Sequence, residues 1–259
     1  MAEPTLHTPR EITPRDFYLL GLTCHHVLAP PPSPTQTRVE MPPPLQLPPQ
    51  LLAEMQGRTH TPPRSTRPSV NAGVFKHKLV VFDTETCGLS QPAIIQLAYA
   101  VVEEGDLSER DVILRRPPRI AMSRKAVAIH GITAARSDAG NEPIPVLVEF
   151  HELVRSTVDS GGEVFAHNSK FDVRAFNFTA EQLGLRIRLN DADIKCTMRS
   201  SSNLSTLKTK NGRHKQFKNS ELYEYMMGTP PTWARLHNAL DDIRVTLLSL
   251  CTARERGFF

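Results

Sequence analysis

Cysteine, tryptophan and long apolar runs are scarce in this chain of 259 residues. Its four cysteines show neither a paired spacing nor a zinc-ligand pattern, which argues against a disulfide scaffold and favours a reducing compartment. No apolar run is long enough to cross a bilayer, and the early acidic residues Glu3, Glu11 and Asp16 argue against a secretory signal. We therefore expect a soluble, intracellular protein, cytoplasmic or nuclear, with no membrane contact.

Proline is scarce after residue 72 but dense before it, since residues 1–72 hold 15 of the 22 prolines. Proline fixes φ and removes a backbone donor, so this segment cannot sustain a helix or a sheet interior. We predict a disordered, proline-rich tail over residues 1–72 and one folded domain over residues 73–259. Two short apolar islands in the tail, at 17–22 and 51–55, could dock on a partner or have no role.

Hydrophobic periodicity after residue 76 predicts an α/β domain. Short β-rich runs predict strands at 78–82, 94–102, 111–115, 163–166 and 194–196. Apolar spacing and helix stops predict helices at 123–130, 145–158, 171–182, 220–227 and 238–253. Three strands in a meander, followed by strand–helix–strand units, predict a mixed five-stranded sheet flanked by helices.

Basic charge is concentrated in one stretch. From Arg186 to Lys218 there are nine basic and two acidic residues, a local charge of +7. Such a stretch suits a polyanionic partner, although a solvated loop that keeps the protein soluble explains it equally well.

Four carboxylates at predicted strand ends and helix starts are the candidates for chemistry: Asp83, Glu85, Asp172 and Asp242. Asp83 and Glu85 are two apart on an extended segment, so both leave the same face, about 7 Å apart. Hard divalent cations prefer such oxygen ligands. Taken alone, the first pair could belong to a plain strand-end turn, and Asp172 could simply complement a helix dipole.

A histidine, His237, precedes Asp242 by five residues. On one continuous helix the two would differ by about 140° around the axis, so they converge only if His237 lies in a loop before the helix. The Pro230–Pro231 pair favours such a loop. With an ordinary histidine pKa of about 6.5, His237 could act as a general base. Asp241 would point about 100° away from Asp242 and is not expected in the site.

Five motifs occur in this chain in the order that is typical of the DEDDh group of 3′→5′ exonucleases, which includes the proofreading subunits of DNA polymerases. They are VFDTETCGL at 81–89, IIQL at 94–97, IHGIT at 129–133, HNSKFD at 167–172 and LHNALDD at 236–242. The chain resembles this family from about Lys78 to Leu250. The resemblance implies an RNase H-like fold. Cys87 departs from the Thr or Ser that is usual there, and the basic segment 205–218 has no place in the family pattern.

The resemblance also implies a two-metal site with Mg²⁺ or Mn²⁺. By analogy Asp83 bridges both ions, Glu85 and Asp242 hold one of them, and Asp172 supports the other. His237 would deprotonate the attacking water. The expected substrate contacts are the backbone around Thr84 and Thr86, the side chain of Leu89, and His130, Asn168 and Phe171. For three of these another interpretation stays open: the His130 turn could be a plain helix stop, Asn168 could cap a helix, and Phe171 could anchor that helix to the core.

The predicted function is a metal-dependent 3′→5′ exonuclease that releases nucleoside 5′-monophosphates from single-stranded 3′ ends, of DNA more readily than of RNA. One alternative is a proofreading or processing subunit that is active mainly when its proline-rich tail tethers it to a polymerase or another protein partner. The other alternative is a catalytically idle nucleic-acid-binding module.

Overall fold

A computed structural model describes residues 67–206 and 208–258, which form a mixed five-stranded sheet with helices on both faces. The strands are β1 (Leu79–Thr86), β2 (Ile94–Glu103), β3 (Asp106–Ile113), β4 (Glu163–Ala166) and β5 (Ile194–Cys196). Their order in the sheet is β3-β2-β1-β4-β5. The first three strands are antiparallel neighbours, whereas β4 and β5 run parallel to β1.

Seven α-helices are present among the described residues. They are α1 (Arg124–His130), α2 (Ala134–Asp138), α3 (Pro143–Asp159), α4 (Ser169–Gln182), α5 (Thr197–Ser200), α6 (Asn219–Met227) and α7 (Ala239–Glu255). None of the helices in this part of the chain is both long and apolar enough to span a bilayer. The predicted order of strands and helices is confirmed, apart from the two short helices α2 and α5, which were not predicted.

Two strand boundaries differ from the prediction. β1 continues to Thr86 rather than ending at 82, because it pairs with β2 along its whole length, and the acidic pair therefore lies within the strand. β3 was predicted at 111–115 but spans Asp106–Ile113. It follows β2 through a two-residue turn in which Glu104 (φ 52°) and Gly105 (φ 87°) are left-handed. An edge strand of which only one residue is fully buried needs few apolar residues, so its sequence carries little strand signal.

The two faces of β1 bury different partners, because side chains alternate along a strand. Val80 and Phe82 pack in a core with α3 and α4, whereas Val81 packs with Ile243 and Leu247 of α7. Asp83 and Glu85 have the same parity as Val81. The alternation therefore points both carboxylates towards the face that α7 covers.

Packing against α7 extends ahead of the predicted domain start at residue 73. Ala72 is buried in the α7 core and Val70 packs against it. Residues 1–66, with the two apolar islands and most of the predicted tail, lie outside the described residues. The division at residue 72 therefore stays a prediction.

Candidate active site

Three carboxylates converge at the end of β1. One oxygen each of Asp83, Glu85 and Asp242 lies within 4.8 Å of the other two. Asp83 and Glu85 come from the α7-facing side of β1, and Asp242 lies in the first turn of α7. The convergence joins segments more than 150 residues apart, and its donor set is the one that hard divalent cations prefer.

The fourth acid, Asp172, is held against the same strand. It lies in the first turn of α4, which follows β4, the parallel neighbour of β1. Its Oδ1 accepts hydrogen bonds from the Thr84 backbone N–H at 3.2 Å and from the Thr84 hydroxyl at 2.8 Å. The carboxylate is therefore buried next to Asp83 and has a fixed direction.

Burial and mutual repulsion make these four groups weak acids in the absence of a cation. Burial, followed by the neighbouring carboxylates, raises the pKa of Asp83 well above its usual range and that of Glu85 to about 8. Burial also raises the pKa of Asp172 to about 7, against the hydrogen bonds from Thr84, and that of Asp242 to about 6. A divalent cation would relieve this repulsion, so the residues present fit the metal site that the motifs imply.

His237 lies in the loop before α7, as its spacing from Asp242 predicted. Its side chain is exposed, and its backbone is left-handed, with φ at 61°. The backbone N–H of His237 donates a hydrogen bond to Asp242 Oδ2 at 2.8 Å. This bond orients the Asp242 carboxylate and ties the His237 backbone to the acidic cluster.

Asp241 has a different role from its neighbour. Its Oδ2 accepts a hydrogen bond from the Arg235 backbone N–H at 2.9 Å, and its Oδ1 accepts one from Arg244 at 3.1 Å. Asp241 thus shapes the loop that carries His237 and is not one of the three converging acids.

His130 links the end of β1 to the turn after α1 through its two ring nitrogens. Its Nδ1 accepts a hydrogen bond from the Ile132 N–H at 3.0 Å, so its Nε2–H points to the Thr86 carbonyl, 3.3 Å away. Burial lowers the pKa of His130, which disfavours the charged ring. Both nitrogens are occupied by backbone, which makes His130 a positioning residue and leaves neither free for a substrate. Gly131 ends α1 in the left-handed region, as the helix-stop interpretation predicted.

The other predicted substrate residues differ in what they expose. Leu89, just beyond β1, is 77% exposed. Phe171 is half-buried and takes no part in the described core clusters, so its predicted role as the anchor of α4 is wrong; Val173 and Phe176 fill that role. Asn168 is exposed and left-handed and its side chain makes no cap hydrogen bond, so the capping interpretation is also wrong.

The side-chain hydroxyls of the two predicted threonines, Thr84 and Thr86, both form hydrogen bonds within the protein. The Thr84 side chain is buried and donates to Asp172, as described above. The Thr86 hydroxyl is buried as well and donates to the Gly88 carbonyl at 3.4 Å. Neither hydroxyl points freely to solvent, because each is used in a hydrogen bond within the protein, and the predicted backbone contacts to a substrate stay a prediction.

Two residues that place α7 were not predicted as functional. The buried Gln96 side chain donates to Asp111 at 2.7 Å and accepts from the Ala239 N–H at 3.4 Å, which ties the first residue of α7 to the sheet. Asn219 donates to the Asp242 carbonyl at 3.0 Å. A glutamine inside the otherwise apolar run 94–102 was the available signal for the first contact, because a buried amide requires partners.

The sequence matches a family model described as Exonuclease over residues 80–250. Among curated proteins, the DNA polymerase III subunit epsilon of Haemophilus influenzae is 26% identical, over 44% of this chain and 46% of that protein. The chain thus spans about half the length of the curated relative it matches.

Solved nuclease structures share the fold. The nuclease domain of 3′hExo, described as a DEDDh family member bound to rAMP, is 16% identical with a TM-score of 0.53, covering 74% of this chain and 96% of that one. A 3′-exonuclease solved for its 3′-end-specific recognition of histone mRNA stem-loop gives a TM-score of 0.55 at 16% identity, covering 70% and 64%. Escherichia coli exonuclease I in complex with a dA16 oligonucleotide gives 0.54 at 14% identity, covering 70% and 41%. These likenesses confirm the predicted RNase H-like fold.

Proposed function

This chain belongs to the DEDDh-type exonuclease family, and from that premise we propose that it is a metal-dependent 3′→5′ exonuclease that releases nucleoside 5′-monophosphates. The observation that carries the proposal is the convergence of Asp83, Glu85 and Asp242 within 4.8 Å. Asp172 lies beside this group, and the His237 loop borders it.

Each acidic side chain has a role in holding cations. Asp83, Glu85 and Asp242 would hold Mg²⁺ or Mn²⁺, and Asp172, oriented by Thr84, would complete the site for a second ion. Bound divalent cations supply charge neutralisation of the phosphodiester and a more acidic water. Glu85 and Asp172 in particular, with pKa values raised to about 8 and 7, need that charge to be fully ionised at neutral pH.

Proton transfer falls to the histidine. The exposed imidazole of His237 accepts a proton from the attacking water and then releases that proton to solvent. Water oxygen bonds to phosphorus while the bond from phosphorus to the 3′ oxygen of the preceding nucleotide breaks. The terminal nucleotide leaves with its 5′-phosphate, and the 3′ oxygen of the shortened strand takes a proton from solvent to become a hydroxyl.

The substrate is the 3′ end of a single strand, of DNA more readily than of RNA. Leu89, exposed just beyond β1, and Phe171, the half-buried neighbour of Asp172 in the first turn of α4, offer apolar surface that suits stacking or wedging of a terminal base. The curated relative is a DNA polymerase subunit, and the solved relatives include one bound to a DNA oligonucleotide and one that recognises an RNA stem-loop.

Matched DNA and RNA 20-mers, labelled at either end, test the proposal with Mg²⁺, Mn²⁺ or EDTA. We expect shortening from the 3′ end with either cation, none with EDTA, and faster digestion of the DNA strand. Asp242→Asn should abolish hydrolysis without changing the circular dichroism spectrum. Asp159→Asn, the same change at an exposed residue, should leave hydrolysis at the native rate. Undiminished hydrolysis in Asp242→Asn would overturn the assignment. Strand binding without hydrolysis under every cation would instead support the idle binding module.

A second candidate is a proofreading or processing subunit that works on a polymerase or another protein partner. It is favoured by the polymerase-subunit relative, of which this chain matches less than half. The proline-rich tail would be the tether. Deletion of residues 1–66 should then lower activity on a polymerase-bound primer end but not on a free strand. If the deletion variant and the native protein have equal rates on the polymerase-bound end as well as on the free strand, the tether is ruled out.

A further inference from the structure

Residues 208–217 form a hairpin with its base, here called the basic hairpin, that the family pattern does not include. Lys208 and His214 pair as antiparallel neighbours, and the Thr209 N–H donates to the Arg213 carbonyl at 2.7 Å. Gly212 is left-handed in the turn, with φ at 74°. The pairing and the turn together define the hairpin.

The base of the basic hairpin is attached to the acidic site. The Phe217 side chain is buried with Leu222 and Met226 of α6, and the Phe217 carbonyl accepts a hydrogen bond from His167 Nε2 at 3.1 Å. His167 directly follows β4. Two residues after Phe217, Asn219 donates to the Asp242 carbonyl. The hairpin therefore projects from the point where β4 and the start of α7 come together.

The charge of the basic hairpin is one-sided and largely uncompensated. The sequence has no acidic residue between Asp193 and Glu221. Lys215 pairs with Glu221 at 2.6 Å. Lys210 and Arg213, at the turn, are exposed, and no ion pair to either is found among the described residues. Two exposed cationic side chains thus extend from a base that is hydrogen-bonded to the segments carrying the acidic site.

We propose that the basic hairpin is an accessory phosphate-binding site, which holds the substrate strand beyond the nucleotides that the acidic cluster engages. The proposal rests on the proposed function, since it takes the same strand as the substrate. Phosphate contacts by lysine and arginine release counterions, so they strengthen binding at low salt and do not depend on base sequence. The hairpin thereby makes long strands better substrates than very short ones.

A double variant, Lys210→Gln with Arg213→Gln, tests the hairpin in the full-length protein. Its matched control is Arg186→Gln with Arg188→Gln, which removes the same charge from exposed residues beyond the far end of α4. The affinity for a labelled 20-nucleotide single strand is measured in EDTA across a salt series. Two lost contacts should reduce the slope of log affinity against log salt by about 1.4, and should weaken binding roughly tenfold at 0.15 M salt.

The second readout separates the hairpin from the chemistry. Hydrolysis of the p-nitrophenyl ester of thymidine 5′-monophosphate, which has no further phosphates, should be the same in the hairpin variant, the control and the native protein. Binding by the hairpin variant that equals that of the control would overturn the proposal, and so would a parallel loss of ester hydrolysis. If the native protein hydrolyses neither ester nor oligonucleotide, the proposed function fails, and the binding series alone still decides on the hairpin.

Discussion

The acidic site should destabilise the metal-free protein, and Glu85→Gln should show by how much. Burial first, and then the charges of Asp242 and Asp172, raise the pKa of Glu85 from 4.5 to about 8. A carboxyl with a raised folded-state pKa contributes stability below its unfolded pKa and loses that contribution as the pH rises through the folded value. Metal-free protein should therefore lose stability between about pH 4.5 and pH 8.

The shift of Glu85 sets an upper bound on this effect. With pKa values of 4.5 unfolded and about 8 folded, linkage predicts a loss of roughly 3 kcal/mol at pH 7 relative to acidic pH. Glutamine has nearly the same shape as the protonated acid, so Glu85→Gln should recover up to this amount. For a domain of this size, that corresponds to a rise of about 6–12 °C in melting temperature.

Thermal unfolding in EDTA at pH 4.5 and pH 7.5, followed by circular dichroism, measures the difference. The variant should melt higher than the native protein at pH 7.5 and nearly together with it at pH 4.5. Added Mg²⁺ should raise the melting temperature of the native protein more than that of the variant, because Glu85 is one of the expected ligands. A variant that melts no higher at pH 7.5, or whose advantage does not change with pH, would refute the reasoning. Glu152→Gln, on the exposed side of α3, is the control.

Three further predictions concern activity and the surrounding loops. Thr84→Val removes a hydrogen bond that stabilises ionised Asp172, so the pKa of Asp172 should rise by a further ~1–2 units. The acid limb of the pH–rate profile should therefore move to higher pH, and Thr84→Ser, which keeps the hydroxyl, should return the limb to its native position. His237→Ala should lower the rate roughly 10²–10⁴-fold, with no rescue at high pH, and should make the acid limb shallower, because only carboxylates such as Asp172 then shape it. An unchanged profile would exclude His237 as the base. Gly131→Ala forces a methyl group into the left-handed region, 2.9 Å from the Arg235 guanidinium. It should cost about 1–2 kcal/mol in unfolding free energy, and an unaltered melting curve would contradict this.

The local pattern was sufficient wherever a residue's own segment sets its direction. Strand alternation placed Asp83 and Glu85 on one side of β1, and the Pro230–Pro231 pair favoured a loop at His237 before the helix. Prediction was poorer at β3, since an edge strand with a single fully buried residue needs little apolar sequence. It was also poorer at Phe171, because an aromatic residue in the first turn of a helix has the same appearance whether it enters the core or faces the site.

Residue types, order and spacing were enough to identify the family and to predict the acids and the histidine as its site, because those properties are written along the chain. Distances between remote segments are a different matter, since they depend on sheet register and on which helix covers which face. Only the folded chain shows that α7 brings Asp242 to Glu85, and that Thr84 turns Asp172 towards β1. The raised pKa values of the four carboxyls follow from that packing, because burial and mutual repulsion exist only once the segments are assembled.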